Sequence, residues 1–207
     1  FSRPQKELEG LFDLIRKHFV PCMREIAERK ARVRVIGDLS LFPKDVQELL
    51  VKAQEDSAMY EGKGVNVALG YGSRAEIARA ASLAAEKARQ ENREVTEKDI
   101  SDHLYTAGMP DPDLIIRTGK EVRLSNFLLW QSAYAELYFS DKMFPDFTDR
   151  DLDEAIIEYA NRTRRFGKTD EQCKTDETGE ILGAAKQAAK QAKKQAENEA
   201  LTQEKGE

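Results

Sequence analysis

Short β-branched or aliphatic runs alternate with longer amphipathic ones along this chain. That alternation restricts the fold more than any other feature. Val33-Arg34-Val35-Ile36 stops at Gly37-Asp38. Gly64 to Leu69 stops at Gly70-Tyr71-Gly72. Asp113 to Arg117 runs toward Gly119, and Leu137-Tyr138-Phe139 is the fourth run. Each is too short for a helix, and the first three are closed by glycines, which reads as strand followed by turn. Lys44 to about Met59 and Arg74 to Gln90 lie between them and carry apolar residues at helical spacing. Strands separated by helices predict an α/β domain. Its central parallel sheet is flanked by helices on both faces.

Other local signals refine this outline. Ser2 followed by Pro4 reads as a helix start, and Leu8, Leu11, Phe12, Ile15 and Phe19 continue at helical spacing. Pro21 is expected to kink that helix or begin a new turn. Thr96 caps a helix at Glu97. Thr148-Asp149-Arg150-Asp151 has the capping-box pattern and opens a helix to about Tyr159. Phe127 to Tyr134 is expected to be helical. Past Gly167 the aromatic residues stop. Residues 168–207 are rich in Ala, Lys, Gln and Glu and read as a solvated tail, disordered or loosely helical. The expected organisation is a domain over 1–167 and a tail over 168–207.

Composition removes several classes of function. Of 207 residues 34% are charged, and the net charge of −5 is not concentrated in any segment. A protein that follows a nucleic-acid backbone carries a basic surplus, so nucleic acid is not an expected partner. Cys22 and Cys173 have no metal-ligand spacing and form no disulfide framework. His18 and His103 stand on separate expected helices. Two isolated thiols suit a reducing, cytoplasmic compartment. There is no apolar run of about 18 residues to span a bilayer, and no signal peptide is read.

The most specific stretch is Arg117-Thr-Gly-Lys-Glu-Val-Arg123-Leu-Ser125-Asn-Phe-Leu-Leu-Trp-Gln131. It leaves an apolar strand and brings two guanidiniums and a hydroxyl into one loop. Planar Arg forks bind phosphate oxygens bidentately, so a diphosphate fits. Gly119 allows backbone to approach the anion. An arbitrary pair of loop arginines is more often solvated, here with Glu121 as partner. The position at the carboxyl end of a strand, where open α/β sheets bind ligands, favours the anion.

This stretch resembles the signature of the cis-prenyltransferases, the undecaprenyl and dehydrodolichyl diphosphate synthases: Arg-Thr-(Ser/Gly)-Gly-Glu-x-Arg-x-Ser-(Asn/Asp)-Phe-Leu-Leu-Trp-Gln. Lys120 departs from it where a second glycine is usual; it either stiffens the loop or adds a cation near the phosphates. Ser132-Ala-Tyr-Ala-Glu136-Leu-Tyr-Phe139, Leu69-Gly-Tyr-Gly-Ser-Arg74, Phe144-Pro-Asp-Phe147 and Arg165-Phe-Gly167 are also similar to family elements. Phe1-Ser2-Arg3-Pro4 resembles the Asn-Trp-x-Arg-Pro element without its first residue. The resemblance covers residues 1–167. It implies Mg2+-dependent condensation of isopentenyl diphosphate onto an allylic diphosphate, giving a polyprenyl diphosphate. It further implies that Arg117, Arg123, Leu124 and Ser125 contact isopentenyl diphosphate, with Arg3 and Phe1 near the allylic substrate. Arg165 and Gly167 would complete the phosphate pocket and Glu136 would help to hold Mg2+, both across a homodimer interface. The apolar product implies peripheral contact with a membrane.

The family's N-terminal strand, helix and Met-Asp-Gly-Asn-x-Arg-Trp loop have no counterpart here. The expectation is a truncated domain, inactive as a fragment. The alternative is a non-catalytic partner subunit of a heteromeric cis-prenyltransferase. That reading is supported by the missing aspartate loop and opposed by the intact Arg117, Arg123, Ser125 and Glu136.

Overall fold

A computed structural model describes residues 5–162. They fall into two compact units, residues 5–110 with Asn126–Trp130 and Asp111–Ser125 with residues 131–162. Each unit holds one pair of parallel strands with helices beside it, so the α/β reading stands. The four expected strands are present as two two-stranded sheets. Phe1 and Arg3, Arg165 and Gly167, the Ser2 cap and the tail lie outside the described residues.

The first unit begins with α1 (Gln5–Leu14) and α2 (Val20–Glu28), joined by a π turn over Ile15–Phe19. Pro21 is the local cause. It has no N–H to donate, and its ring would clash with the carbonyl four residues back. A wider turn just ahead of it accommodates both constraints. The chain then forms β1 (Arg32–Ile36), α3 (Lys44–Ser57) and β2 (Gly64–Ala68), with Arg32 opposite Gly64 and Ile36 opposite Ala68. Ile15, Phe42, Val46 and Leu50 make the main core, and Met23, Val33 and Ala53 a second cluster. Phe12 meets Phe42 edge to face at 5.6 Å. Burying a side chain such as Leu50, which is fully buried, contributes about 2–3 kcal/mol.

α3 also closes the outer edge of β1. The Val33 N–H donates to Ser57 Oγ and the Val35 N–H to Gln54 Oε1, both at 2.9 Å. Edge N–H groups left unpaired would invite pairing with another chain; here side chains of a helix satisfy them. The long α4 (Ser73–Gln90) and short α5 (Glu97–Ser101) complete this unit. Thr96 and Asp99 form a reciprocal capping box at α5.

The second unit pairs β3 (Leu114–Arg117) with β4 (Glu136–Phe139), Leu114 opposite Glu136 and Arg117 opposite Phe139. A 3-10 turn at Phe144–Asp146 leads to α6 (Asp149–Asn161). As expected, Thr148 opens α6: the Asp151 carboxylate accepts the Thr148 N–H at 2.8 Å and its hydroxyl at 2.6 Å. Lys142 closes on the same carboxylate at 2.6 Å.

One expected element is absent. Phe127 to Tyr134 is not a helix but a series of turns. Asn126 and Leu128 have φ of +65° and +46°, which no right-handed helix contains. The polar groups of this run are used elsewhere. Asn126 O accepts the Ser73 N–H at 2.9 Å, and Asn126 Oδ1 the Arg74 N–H at 2.8 Å. Ser73 Oγ accepts the Leu129 N–H at 2.9 Å. The run therefore caps α4, satisfying amides that the first turn of a helix leaves without partners.

Candidate functional site

Arg117 is the last residue of β3. After it the chain turns through Gly119 (φ +89°) and Lys120 (φ +61°). This turn is fastened to the end of β4 by three backbone bonds. Ser140 N–H donates to Arg117 O at 2.8 Å, Gly119 N–H to Lys142 O at 2.7 Å, and Lys120 N–H to Ser140 O at 3.1 Å. The Arg117 side chain therefore departs from a fixed backbone. It is half-buried, and its Nε is enclosed without a hydrogen-bond partner among the described residues. A buried donor without an acceptor is costly unless a ligand supplies one. An anion with several oxygens would.

Arg123 and Ser125 are brought together, as the sequence suggests. Arg123 Nε donates to Ser125 Oγ at 3.2 Å, and Arg123 Nη1 pairs closely with Glu121. The Arg123 side chain is 60% exposed. Two of its five donors are thus used, and three remain for a ligand. Ser125 has φ +48°, a strained value for serine of the kind that collects at binding sites. Leu124 between them is half-buried. No hydrogen bond joins Arg117 to Arg123 or Ser125, so what unites these residues is the loop.

Glu136, the first residue of β4, accepts from Arg162 Nη1 at 2.9 Å. The same nitrogen donates to Leu137 O at 2.9 Å, while Arg162 Nη2 holds Glu158 at 2.6 Å. Glu158 first, and then Glu136, raises the Arg162 pKa above its ordinary value. Glu136 is therefore engaged by a guanidinium. Among the described residues no group of three His, Cys, Asp or Glu could hold a metal ion. Hard Mg2+ asks for oxygen ligands in octahedral array, and these residues do not make such a site. Again among the described residues, no helix is long and apolar enough to cross a membrane.

A buried polar cluster escaped the sequence reading. Glu76, in the first turn of α4, is buried, accepts the Tyr105 N–H at 2.8 Å and takes a short hydrogen bond from the Tyr71 hydroxyl. Burial, and then Glu76, push the Tyr71 phenol well above its usual range, so it remains a donor. Tyr71 meets Phe127 edge to face at 5.9 Å and Trp130 Nε1 donates to Ser101 at 3.1 Å, which fixes the Asn126–Trp130 run. The available signal was Ser73-x-x-Glu76, itself a capping-box pattern.

Similarity to known proteins runs through most of the chain. Residues 1–167 match the family model described as "Putative undecaprenyl diphosphate synthase". An isoprenyl transferase of Porphyromonas gingivalis is 43% identical over 175 residues, covering 83% of this chain and 69% of the relative. The crystal structure of a probable undecaprenyl diphosphate synthase from Campylobacter jejuni superimposes with a TM-score of 0.70 at 36% identity, covering 81% of this chain and 77% of that one. Lavandulyl diphosphate synthase from Lavandula x intermedia, solved in complex with dimethylallyl diphosphate, gives 0.73 at 33% identity, covering 81% and 74%. The chain belongs to the undecaprenyl diphosphate synthase family of cis-prenyltransferases.

Proposed function

We propose that the protein elongates prenyl chains in the cis configuration, condensing isopentenyl diphosphate onto an allylic diphosphate. The allylic carbon–oxygen bond breaks and its electron pair leaves with the diphosphate. The isopentenyl double bond forms the new carbon–carbon bond, and loss of a proton restores an alkene. The diphosphate of isopentenyl diphosphate does not react. Its binding is positional, holding the double bond against the allylic carbon, and such alignment can supply several kcal/mol of the acceleration.

Arg117 carries this reading, because its enclosed Nε has no acceptor among the described residues. In the proposal it holds the unreacting diphosphate, and Arg123, steadied by Glu121 and Ser125, supplies further donors from the same loop. Leu124 lies beside the substrate. Phe1, Arg3, Arg165 and Gly167 join the site by family resemblance, the last two from a second copy in a homodimer. Residues 1–167 are the catalytic domain and 168–207 the tail of a cytoplasmic protein that touches membrane through its lipid product. Mg2+ would need carboxylates besides Glu136, and no step here is assigned to it.

Replacing Arg117 by Ala is expected to weaken isopentenyl diphosphate binding by about 2–5 kcal/mol, as for a desolvated charge contact. The melting temperature should hold or rise, since an unsatisfied buried donor is removed. Titration calorimetry and a thermal melt decide it. Unchanged affinity would remove Arg117 from the site.

A further inference from the structure

Six cations belong to the described part of the second unit, and four of them are matched by carboxylates. Arg123 pairs with Glu121, Lys142 with Asp151, Arg150 with Glu154, and Arg162 with both Glu136 and Glu158. The other two, Arg117 and Lys120, have no ion-pair partner among the described residues. They stand at the two ends of one turn, three residues apart in sequence.

Lys120 is also in the wrong conformation for a lysine. Its φ is +61°, a region where any Cβ is crowded and glycine is at ease. Its N–H is fixed to Ser140 O at 3.1 Å, so the turn cannot relax to suit the side chain. The side chain itself is exposed. A strained backbone and an unmatched charge at one position are a combination that collects at ligand-binding sites.

We infer that Lys120 is a phosphate-binding residue of this chain, supplying a second unmatched cation to the diphosphate held at Arg117. This deepens the proposed function and rests on it. Electrostatics argue the same way. Glu121 offsets Arg123, so without Lys120 the turn would face a multiply charged anion with little surplus positive charge. Lys suits the place because a long stem with a mobile ammonium can meet a phosphate at the rim, where a rigid guanidinium fork would need a fixed geometry.

The test uses inorganic pyrophosphate and isopentenyl diphosphate as probes on the wild-type protein and on Lys120→Gly, Lys120→Gln, Lys120→Arg and Arg117→Ala. Lys120→Gly should raise the melting temperature by about 2–4 °C while weakening pyrophosphate binding roughly 3- to 10-fold at low salt, a loss that shrinks as salt screens the charge. Lys120→Gln should lose the same affinity without the gain in stability, and Lys120→Arg should retain most of it. If Lys120→Gly and Lys120→Gln bind both probes as the wild type does while Arg117→Ala fails, Lys120 is not a ligand contact and the inference is overturned alone. If Arg117→Ala also binds normally, the proposed site falls with it.

Discussion

The two parallel strand pairs end in turns of opposite character. In the first unit, Gly37 (φ +130°) follows β1 and Gly70 (φ +60°) follows β2, and the two turns pack against each other. A Cβ on Gly37 would lie 2.0 Å from the Leu69 carbonyl oxygen, and one on Gly70 2.8 Å from that of Asp38. In the second unit, Gly119 follows β3 with φ +89°, yet a Cβ there would meet nothing nearer than Met143 Sδ at 3.8 Å. Glycine is required at the first pair by backbone against backbone. At the second, conformation alone asks for it, and the space around it is open. The open turn is also the one with the unmatched cations. Close packing thus marks the unit that holds the core, and a roomier turn with unmatched charge marks the unit proposed to bind.

The strongest way to break this contrast is Gly37→Ala. Its methyl would have to displace the Leu69 carbonyl, and the turn that joins the ends of β1 and β2 would open. A loss above about 4 kcal/mol is expected, in the exceptional range for one substitution. Chemical denaturation monitored by circular dichroism measures it. A midpoint close to wild type would mean that the first turn has as much freedom as the second.

The two units share one device, and here they should differ only in degree. Asp99 is held by Arg93 through two bonds of 2.6 Å and by Thr96. Asp151 is held by Lys142 at 2.6 Å and by Thr148. Arg93 first, and then Thr96, lowers the Asp99 pKa; Lys142 and then Thr148 do the same for Asp151. For a lowered carboxylate the unfolded state takes up protons first. The stabilisation is complete above the ordinary carboxylate value of about 3.9 and is lost as pH falls toward the folded value. Urea midpoints between about pH 6 and pH 2.5 should therefore fall for the wild type. They should fall less for Asp99→Asn, with Asp151→Asn in between, because a bidentate guanidinium pair outweighs a single ammonium contact. Equal acid limbs for all three proteins would show that neither box contributes.

Most of the architecture was legible because its signals are local. Pro21, the Thr96 and Thr148 boxes, and the short runs of β1 to β4 each act within a few residues. The Phe127–Tyr134 run was misread because its conformation is decided far away. Leu129 and Ser73 are 56 residues apart, and Asn126 and Arg74 are 52 apart. Periodicity cannot tell a short buried helix from an apolar loop fastened by such bonds. For the site, the motif named Arg117, Arg123, Ser125 and Glu136. It could not show that Arg117 Nε would be enclosed and unpaired, that Arg162 would occupy Glu136, or that Lys120 would sit at positive φ. Those are properties of a turn tied to a neighbouring strand, and no window of sequence contains both.

The smallest effect sharpens the contrast most. Gly119→Ala keeps the 2.7 Å bond from its N–H to Lys142 O and has no near neighbour to displace, so only the positive φ is penalised, by about 1–2 kcal/mol. Pyrophosphate affinity should nonetheless drop several-fold, because a methyl would stand where backbone comes closest to the anion. Binding would then fall at Gly119 with little loss of stability, whereas Gly37→Ala is read as a large loss of stability. A Gly119→Ala protein as unstable as Gly37→Ala would mean the second turn is also a packing feature, and the open space beside Arg117 would no longer mark a binding site.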